Sequence, residues 1–241
     1  MCFSVNVNLV KEELESRFGA TLIDPERYRP SYYYHAFAIP ELPVVCSEDP
    51  SRINLFRWGL IPARTRTSKD AENIRSKTFN ARCESIEDKP SFSCSFRTKR
   101  CIIPVRGFFE WQHAAREKIP WYIYLPDKEI MSLAGLYDHW TSDVTGELIN
   151  TFTVITTESN TLLSEIHNST KRMPAILDRE SGRIWLDGDT SSEDAMRLLQ
   201  PLADGILRAH TIGPLVNDKN ADRNTPEVIR PFHYYIQNTL F

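Results

Sequence analysis

The stretch RCIIPVRGFFEWQ, residues 100–112, decides the fold class. Its β-branched and aromatic residues suit a pleated, largely buried surface, so it reads as strand, with Glu110 held between Phe109 and Trp111. Downstream, WYIYLPDKEIMSLAGLYDHW (121–140) and TFTVITT (151–157) repeat the composition, with PDKE predicted as a hairpin turn. Upstream, SYYYHAFAIP (31–40), LPVVCS (42–47) and INLFRWGLIP (53–62) predict strands separated by Pro-containing turns.

Helices are fewer. KEELESRFG (11–19) predicts a short helix closed by Gly19, and SKDAENIRSK (68–77) a helix over the sheet with Ser68 as its N-cap. SNTLLSEIH (159–167) starts a helix, SSEDAMRLLQPL (191–202) is amphipathic, and MPAILD (173–178) and RIWLDG (183–188) read as short strands. After TIGPLVNDKN (211–220) an Asn- and Pro-rich tail predicts an extended segment packed over the body. Strand segments recur on both sides of every candidate boundary, with no repeat or linker between them. The expectation is one α+β domain, residues 1–241, whose strongly curved, barrel-like mixed sheet is flanked by helices.

No apolar run approaches the roughly 18 residues of a membrane span, and Lys11, Glu12 and Glu13 interrupt the N-terminal segment. A cytoplasmic protein is expected, nucleoid-associated when acting on DNA. The five cysteines are an odd, scattered set without a CxxC pair, which suggests neither a zinc site nor a disulfide framework. HExxH, GxSxG, GxxxxGK[ST] and GxGxxG are absent, so zinc proteolysis, serine hydrolysis and simple nucleotide binding recede. No cofactor or metal is expected. The net charge of −3 hides an asymmetry, because the segment from Arg57 to Arg106 carries twelve Lys and Arg against five Asp and Glu. Such a segment can form a basic patch that includes both of its ends.

Five places can carry chemistry. MCFSVNVN (1–8) alternates like a half-buried strand, with Cys2 on its polar face. If Met1 is removed, Cys2 carries a free α-amine beside its thiol. About a quarter of such an amine is neutral at pH 7.4, against about 0.1% of an unperturbed lysine. The pair can form a Schiff base with an aldehyde and close it to a thiazolidine, or the thiolate can attack an acyl group as an N-terminal nucleophile. If Met1 stays, Cys2 simply packs. Glu110, desolvated among aromatics, suits acid-base work or a structural ion pair. In FNARCE (79–84), Asn80, Arg82 and Glu84 alternate and can share a strand face, an asparagine to hold an amine and an arginine to hold phosphate. EIHNSTKRMPAIL (165–177) sets His167 near a helix end before Lys171 and Arg172. Arg57 and Trp58 can grip phosphate and stack on a base, or Trp58 can belong to the core.

In order along the chain, Cys2, RWGLIP, NARCE, GFFEW and KRMPAIL span Cys2 to Leu177, roughly three quarters of it. In this the chain resembles the SOS response-associated peptidase family, the abasic-site processing proteins. The resemblance implies a β-barrel-like core, a positive cleft for single-stranded DNA, and a covalent thiazolidine link from the N-terminal cysteine to the ring-opened abasic sugar. It makes Cys2 the nucleophile and has Asn80 position its amine and the substrate. Glu110 becomes the acid-base residue, and His167 assists ring opening and proton transfer. Arg82 and Arg172 would hold phosphates beside Trp58 and Trp111, and Arg57, Arg106 and Lys171 complete the expected DNA surface. A monomer acting during replication is expected, and a peptidase or amidase acting on its own leader is the alternative. The chain departs from the family's usual Cys-Gly-Arg start at Phe3 and Ser4, and four residues separate His167 from the Arg-Met-Pro run.

Overall fold

The computed structural model describes residues 2–114 and 117–234; Met1 and the end of the tail lie outside the described residues. In chain order the elements begin β1 (Ser4–Val7), α1 (Lys11–Phe18), β2 (Thr21–Leu22), β3 (Ser31–His35), β4 (Glu41–Cys46), β5 (Asp49–Trp58), α2 (Ser68–Arg75) and β6 (Asn80–Arg82). They continue with α3 (Ser93–Thr98), β7 (Arg100–Val105), β8 (Gly107–Ala114), β9 (Glu117–Tyr124), β10 (Met131–Thr141) and β11 (Leu148–Glu158). Last come α4 (Thr161–Ile166), β12 (Arg172–Pro174), β13 (Ile176–Leu177), α5 (Arg179–Leu186), α6 (Ser192–Arg197) and β14 (Arg208–Thr211).

Strands β5, β4, β7, β10 and β11 form a ring of antiparallel neighbours. The ring closes where β11 meets β5 in parallel, with Thr151 opposite Arg57 and Phe152 opposite Trp58. The expected α+β architecture with a barrel-like mixed sheet is therefore present. RWGLIP is the latch of this closure. The Trp58 ring stacks on Phe152 at 5.8 Å and its indole N–H donates to the Phe79 carbonyl at 2.8 Å. Gly59 follows with φ of +106°, donates to the Phe152 carbonyl, and leaves no room for a Cβ, which would fall 2.4 Å from Arg75 Cγ.

The second sheet has the order β14-β9-β8-β1-β3. On one face Val5, Val7, Phe108 and Ile123 share an apolar core with Val44, Ile103, Leu133 and Phe152 of the barrel. On the other, Phe109 and Tyr122 pack against Ile212, Val216 and Val228 of the C-terminal segment. Sandwiched this way, β1 has no solvent face. Ser4 and Asn6 are as buried as Val5, and Cys2 is 1% exposed, so alternation misleads here. A strand covered by two layers keeps its polar residues only by hydrogen-bonding them internally.

Four local readings change for physical reasons. PDKE is not a hairpin turn: β9 pairs with β8 and β14 while β10 pairs with β7 and β11, so the turn hands the chain from one sheet to the other. RIWLDG lies largely in α5, where the Asp178 side chain accepts the Ser181 N–H at 2.7 Å and a capped helix sets Trp185 in the core and Ile184 outside. The N-cap of α2 is Thr67, which accepts the Asp70 N–H at 3.1 Å, and Ser68 is the first helical residue. The described part of the tail, residues 221–234, packs over the body through Val228 but with a 3-10 turn at Pro226–Ile229 rather than as a fully extended segment, and residues 235–241 lie outside the described residues.

Candidate active site

In the antiparallel pairing of β1 with β8, Val5 faces Phe108, and continuing that register brings the start of the chain alongside Glu110. The buried Cys2 thiol points at the Ser4 carbonyl, 3.9 Å away. Burial, reinforced by the Glu110 charge, pushes its pKa well above that of an ordinary thiol. Glu110 is itself 4% exposed, and burial raises its pKa from 4.5 to about 7. At neutral pH the thiol is therefore protonated and the carboxyl is poised to give or take a proton.

His167 caps the C-terminal end of α4, whose start is fixed by Asn160 accepting the Leu163 N–H at 3.0 Å. Its Nδ1 lies 2.9 Å from the Arg172 carbonyl and 3.8 Å from Glu110 Oε1. With Nδ1 donating to that carbonyl, Nε2 accepts the Thr170 hydroxyl at 2.8 Å. Burial lowers the His167 pKa, which keeps the imidazole neutral. The residues after it form a tight loop. Lys171, with φ of +50°, donates its N–H back to the His167 carbonyl, and Asn168 bonds both backbone groups of His113 on β8. The four-residue spacing thus leaves the imidazole beside Glu110.

Asn80 comes from β6, parallel to β11 with Asn80 opposite Val154. Ala81 turns into the core while Asn80 and Arg82 point the other way. Phe79 meets Phe3 edge to face at 6.4 Å, which joins the neighbourhoods of Asn80 and Cys2. Both Asn80 side-chain atoms, Nδ2 and Oδ1, are buried without a hydrogen-bond partner among the described residues. An amide left so costs on the order of 1–3 kcal/mol.

The structure brings together Cys2, Glu110 and His167 and ties the Asn80 segment to the chain start through Phe79 and Phe3, but it does not assemble the whole expected DNA surface. Trp58 is fully buried in the barrel closure and offers no ring to a base. Trp111 is on the face of β8 opposite Glu110, packed toward the C-terminal segment with its indole N–H on Asn217 Oδ1 at 2.9 Å. Arg57 is held by Glu41 and Glu147. Arg106 pairs with Glu13 at 2.5 Å and sits beside Asn6, four residues and roughly 13 Å of strand from Cys2. Arg172 is 8% exposed, bidentate on Glu84 at 2.7 and 3.0 Å and bound to the Thr156 carbonyl, so its guanidinium anchors β12 and its carbonyl orients His167. Arg82 and Lys171 are exposed, without a salt bridge among the described residues. Sequence reasoning missed Thr170, which orients His167, and placed Glu84 on a strand face with Asn80 and Arg82, whereas the strand ends at Arg82 and Glu84 lies in the 3-10 turn Cys83–Ser85, where it holds Arg172. The hydroxyl three residues after the histidine was the visible signal for Thr170; the Glu84 contact needs the fold.

A family profile described as SOS response associated peptidase (SRAP) matches residues 1–219. The chain is 36% identical over 221 residues to the abasic site processing protein YoqW of Bacillus subtilis, covering 90% of this chain and 94% of the relative. It is 34% identical over 233 residues to the abasic site processing protein HMCES of Xenopus tropicalis, covering 85% of this chain and 67% of that protein. A crystal structure of a Bacteroides thetaiotaomicron protein superposes with a TM-score of 0.90 at 35% identity, covering 96% of this chain and 100% of that one.

Proposed function

Because the chain belongs to the SOS response associated peptidase family, we propose that it processes abasic sites in single-stranded DNA by a covalent crosslink through Cys2, made N-terminal by loss of Met1. The observation that carries the reading is the buried Cys2 thiol beside Glu110, with His167 3.8 Å from that carboxyl and with the Asn80 amide, which makes no hydrogen bond among the described residues, on the strand whose Phe79 meets Phe3. The relatives' names supply the substrate class.

The state of each group orders the steps. With the thiol held protonated by burial and by Glu110, the α-amine is the first nucleophile. It adds to the C1′ aldehyde of the opened sugar to give a carbinolamine, with Asn80 holding amine and sugar oxygen in register. Glu110, whose pKa burial raises to about 7, gives its proton to the departing hydroxyl and releases water. The resulting carboxylate takes the thiol proton as sulfur attacks the iminium carbon, and the C=N electron pair returns to the ring nitrogen, which keeps the proton it already carries. One water leaves, Glu110 ends as it began, and no oxidant enters. Neutral His167 assists ring opening, and Arg82 and Lys171 supply cations for flanking phosphates. This ordering disfavours a thiolate peptidase, which needs a lowered thiol pKa.

The test is an abasic single-stranded oligonucleotide, with an adduct read after denaturation and intact mass read beforehand. Loss of Met1 and a heat-stable adduct absent from Cys2→Ser are expected. Retained Met1, no adduct from the unaltered protein, or an equal adduct from Cys2→Ser would sink the proposal.

A further inference from the structure

Phe37 is 60% exposed, yet its ring is firmly seated. It contacts Phe79 at 4.9 Å, Phe3 at 5.4 Å and His35 at 5.3 Å between ring centroids. Phe3 and Phe79 touch one another as well, so three phenyl rings form a closed group. The turn that carries Phe37 is fastened to the chain start: the Phe3 carbonyl accepts the Ala36 N–H at 2.8 Å and lies 2.9 Å from His35 Nδ1. Two of the three rings belong to the chain neighbours of Cys2 and Asn80. The group is therefore an apolar platform at the candidate active site, and Phe37 is its exposed ring.

An abasic nucleotide has lost its own base, so the base next to it presents an uncovered π-face. A flat ring held beside the reacting sugar is the complementary surface, and stacking tolerates every base. Trp58 and Trp111 are placed where they cannot serve. Resting on the crosslinking reading above, we infer that Phe37 stacks on the base flanking the abasic sugar and so fixes the sugar's register over Cys2. It is a positioning residue that touches the neighbouring nucleotide and takes no part in proton transfer.

The experiment separates encounter from bond formation. Binding is measured with oligonucleotides carrying a tetrahydrofuran abasic analogue, which has no aldehyde, flanked either by bases or by further tetrahydrofuran spacers. A 2-aminopurine beside the analogue reports stacking. Phe37→Ala is expected to weaken binding to base-flanked DNA about tenfold, within the range of one lost stack. It should relieve the 2-aminopurine quenching and leave spacer-flanked binding unchanged. Phe37→Trp should restore both, whereas Phe37→Leu, apolar but not flat, should not. At saturating natural abasic DNA the Phe37→Ala crosslinking rate should also fall, by about tenfold, because the bound sugar is no longer held in register over Cys2, and Phe37→Trp should restore it. Equal binding by Phe37→Ala, or an equal loss on spacer-flanked DNA, overturns the inference while leaving the crosslink intact. Flank-dependent loss in a protein that never crosslinks sustains the stacking role and overturns the covalent reading instead.

Discussion

Two sets of buried polar groups flank the first strand, and they are spent differently. Ser4 donates to the Tyr33 hydroxyl at 3.0 Å and lies 3.1 Å from His35 Nδ1. Asn6 donates to the Tyr122 hydroxyl at 3.1 Å and accepts the Asn8 N–H at 2.8 Å. These groups satisfy one another and hold β1 between its two layers. At the chain start, the Asn80 amide makes no hydrogen bond among the described residues, the Cys2 thiol reaches only a carbonyl 3.9 Å away, and Glu110 carries a raised pKa. Each set mixes buried residues (Ser4 and Asn6, Cys2 and Glu110) with half-buried ones (Tyr33 and His35, Asn80), so depth does not distinguish the two. What sets the second apart is an amide with unused hydrogen-bonding capacity among the described residues and a carboxyl whose pKa is raised to about 7, into the range where it exchanges its proton near neutral pH.

The sharpest way to break this contrast is Glu110→Gln. Loss of a positioned acid-base group is expected to slow adduct formation by about 10²- to 10⁴-fold, read from the time course of denaturation-resistant adduct. A loss under about tenfold would return Glu110 to a structural role. The pH profile separates the groups further. A rate that needs protonated Glu110, with its pKa of about 7, and a neutral α-amine of pKa about 7.7–8.0 is bell-shaped. The variant should keep the acidic limb and lose the alkaline decline.

The same carboxyl makes a stability prediction. Its folded pKa of about 7 stands above the ordinary 4.5, so the folded state holds that proton more tightly than the unfolded chain. The stabilisation is complete below pH 4.5 and is lost as pH rises through about 7. The full span is about 3 kcal/mol. Denaturant titrations from pH 5 to 8.5 should show that decline, and Glu110→Gln should flatten it.

How far the sequence discloses this contrast depends on range. β-Branched and aromatic runs made the α+β class legible, and isolated polar residues in apolar surroundings marked Cys2, Asn80, Glu110 and His167. What stayed hidden depends on distant partners. Trp58 reads equally as a stacking ring or as core until Phe152, brought over by the parallel pairing of β5 with β11, covers it. Arg172 looks like a phosphate ligand until Glu84, 88 residues away, engages it bidentately. The β1 alternation suggests a solvent face because nothing local shows the C-terminal segment packed behind it.

Asn80→Ala tests the unspent side of the contrast. Removing an amide that makes no hydrogen bond among the described residues should leave stability equal or raise it by about 1–2 kcal/mol, as an unsatisfied buried group is relieved, while adduct formation falls about tenfold for want of one substrate hydrogen bond worth about 1.5 kcal/mol. A clear stability loss, with chemistry intact, would place Asn80 among the scaffold groups.

The spent side gives the smallest effect and the cleanest control. Tyr122→Phe removes one hydroxyl and almost no volume, leaving Asn6 Nδ2 without the acceptor it has at 3.1 Å. The variant should lose about 1 kcal/mol, the net worth of a buried hydrogen bond, seen as a lower denaturation midpoint with an unchanged slope. Its adduct rate should match the unaltered protein, because Asn6 lies toward the end of β1 away from Cys2 and Tyr122 packs on the C-terminal side of the sheet. A slowed reaction in a protein that is still folded would mean that the tension of β1 reaches the chain start, and scaffold and site would then be one network rather than two.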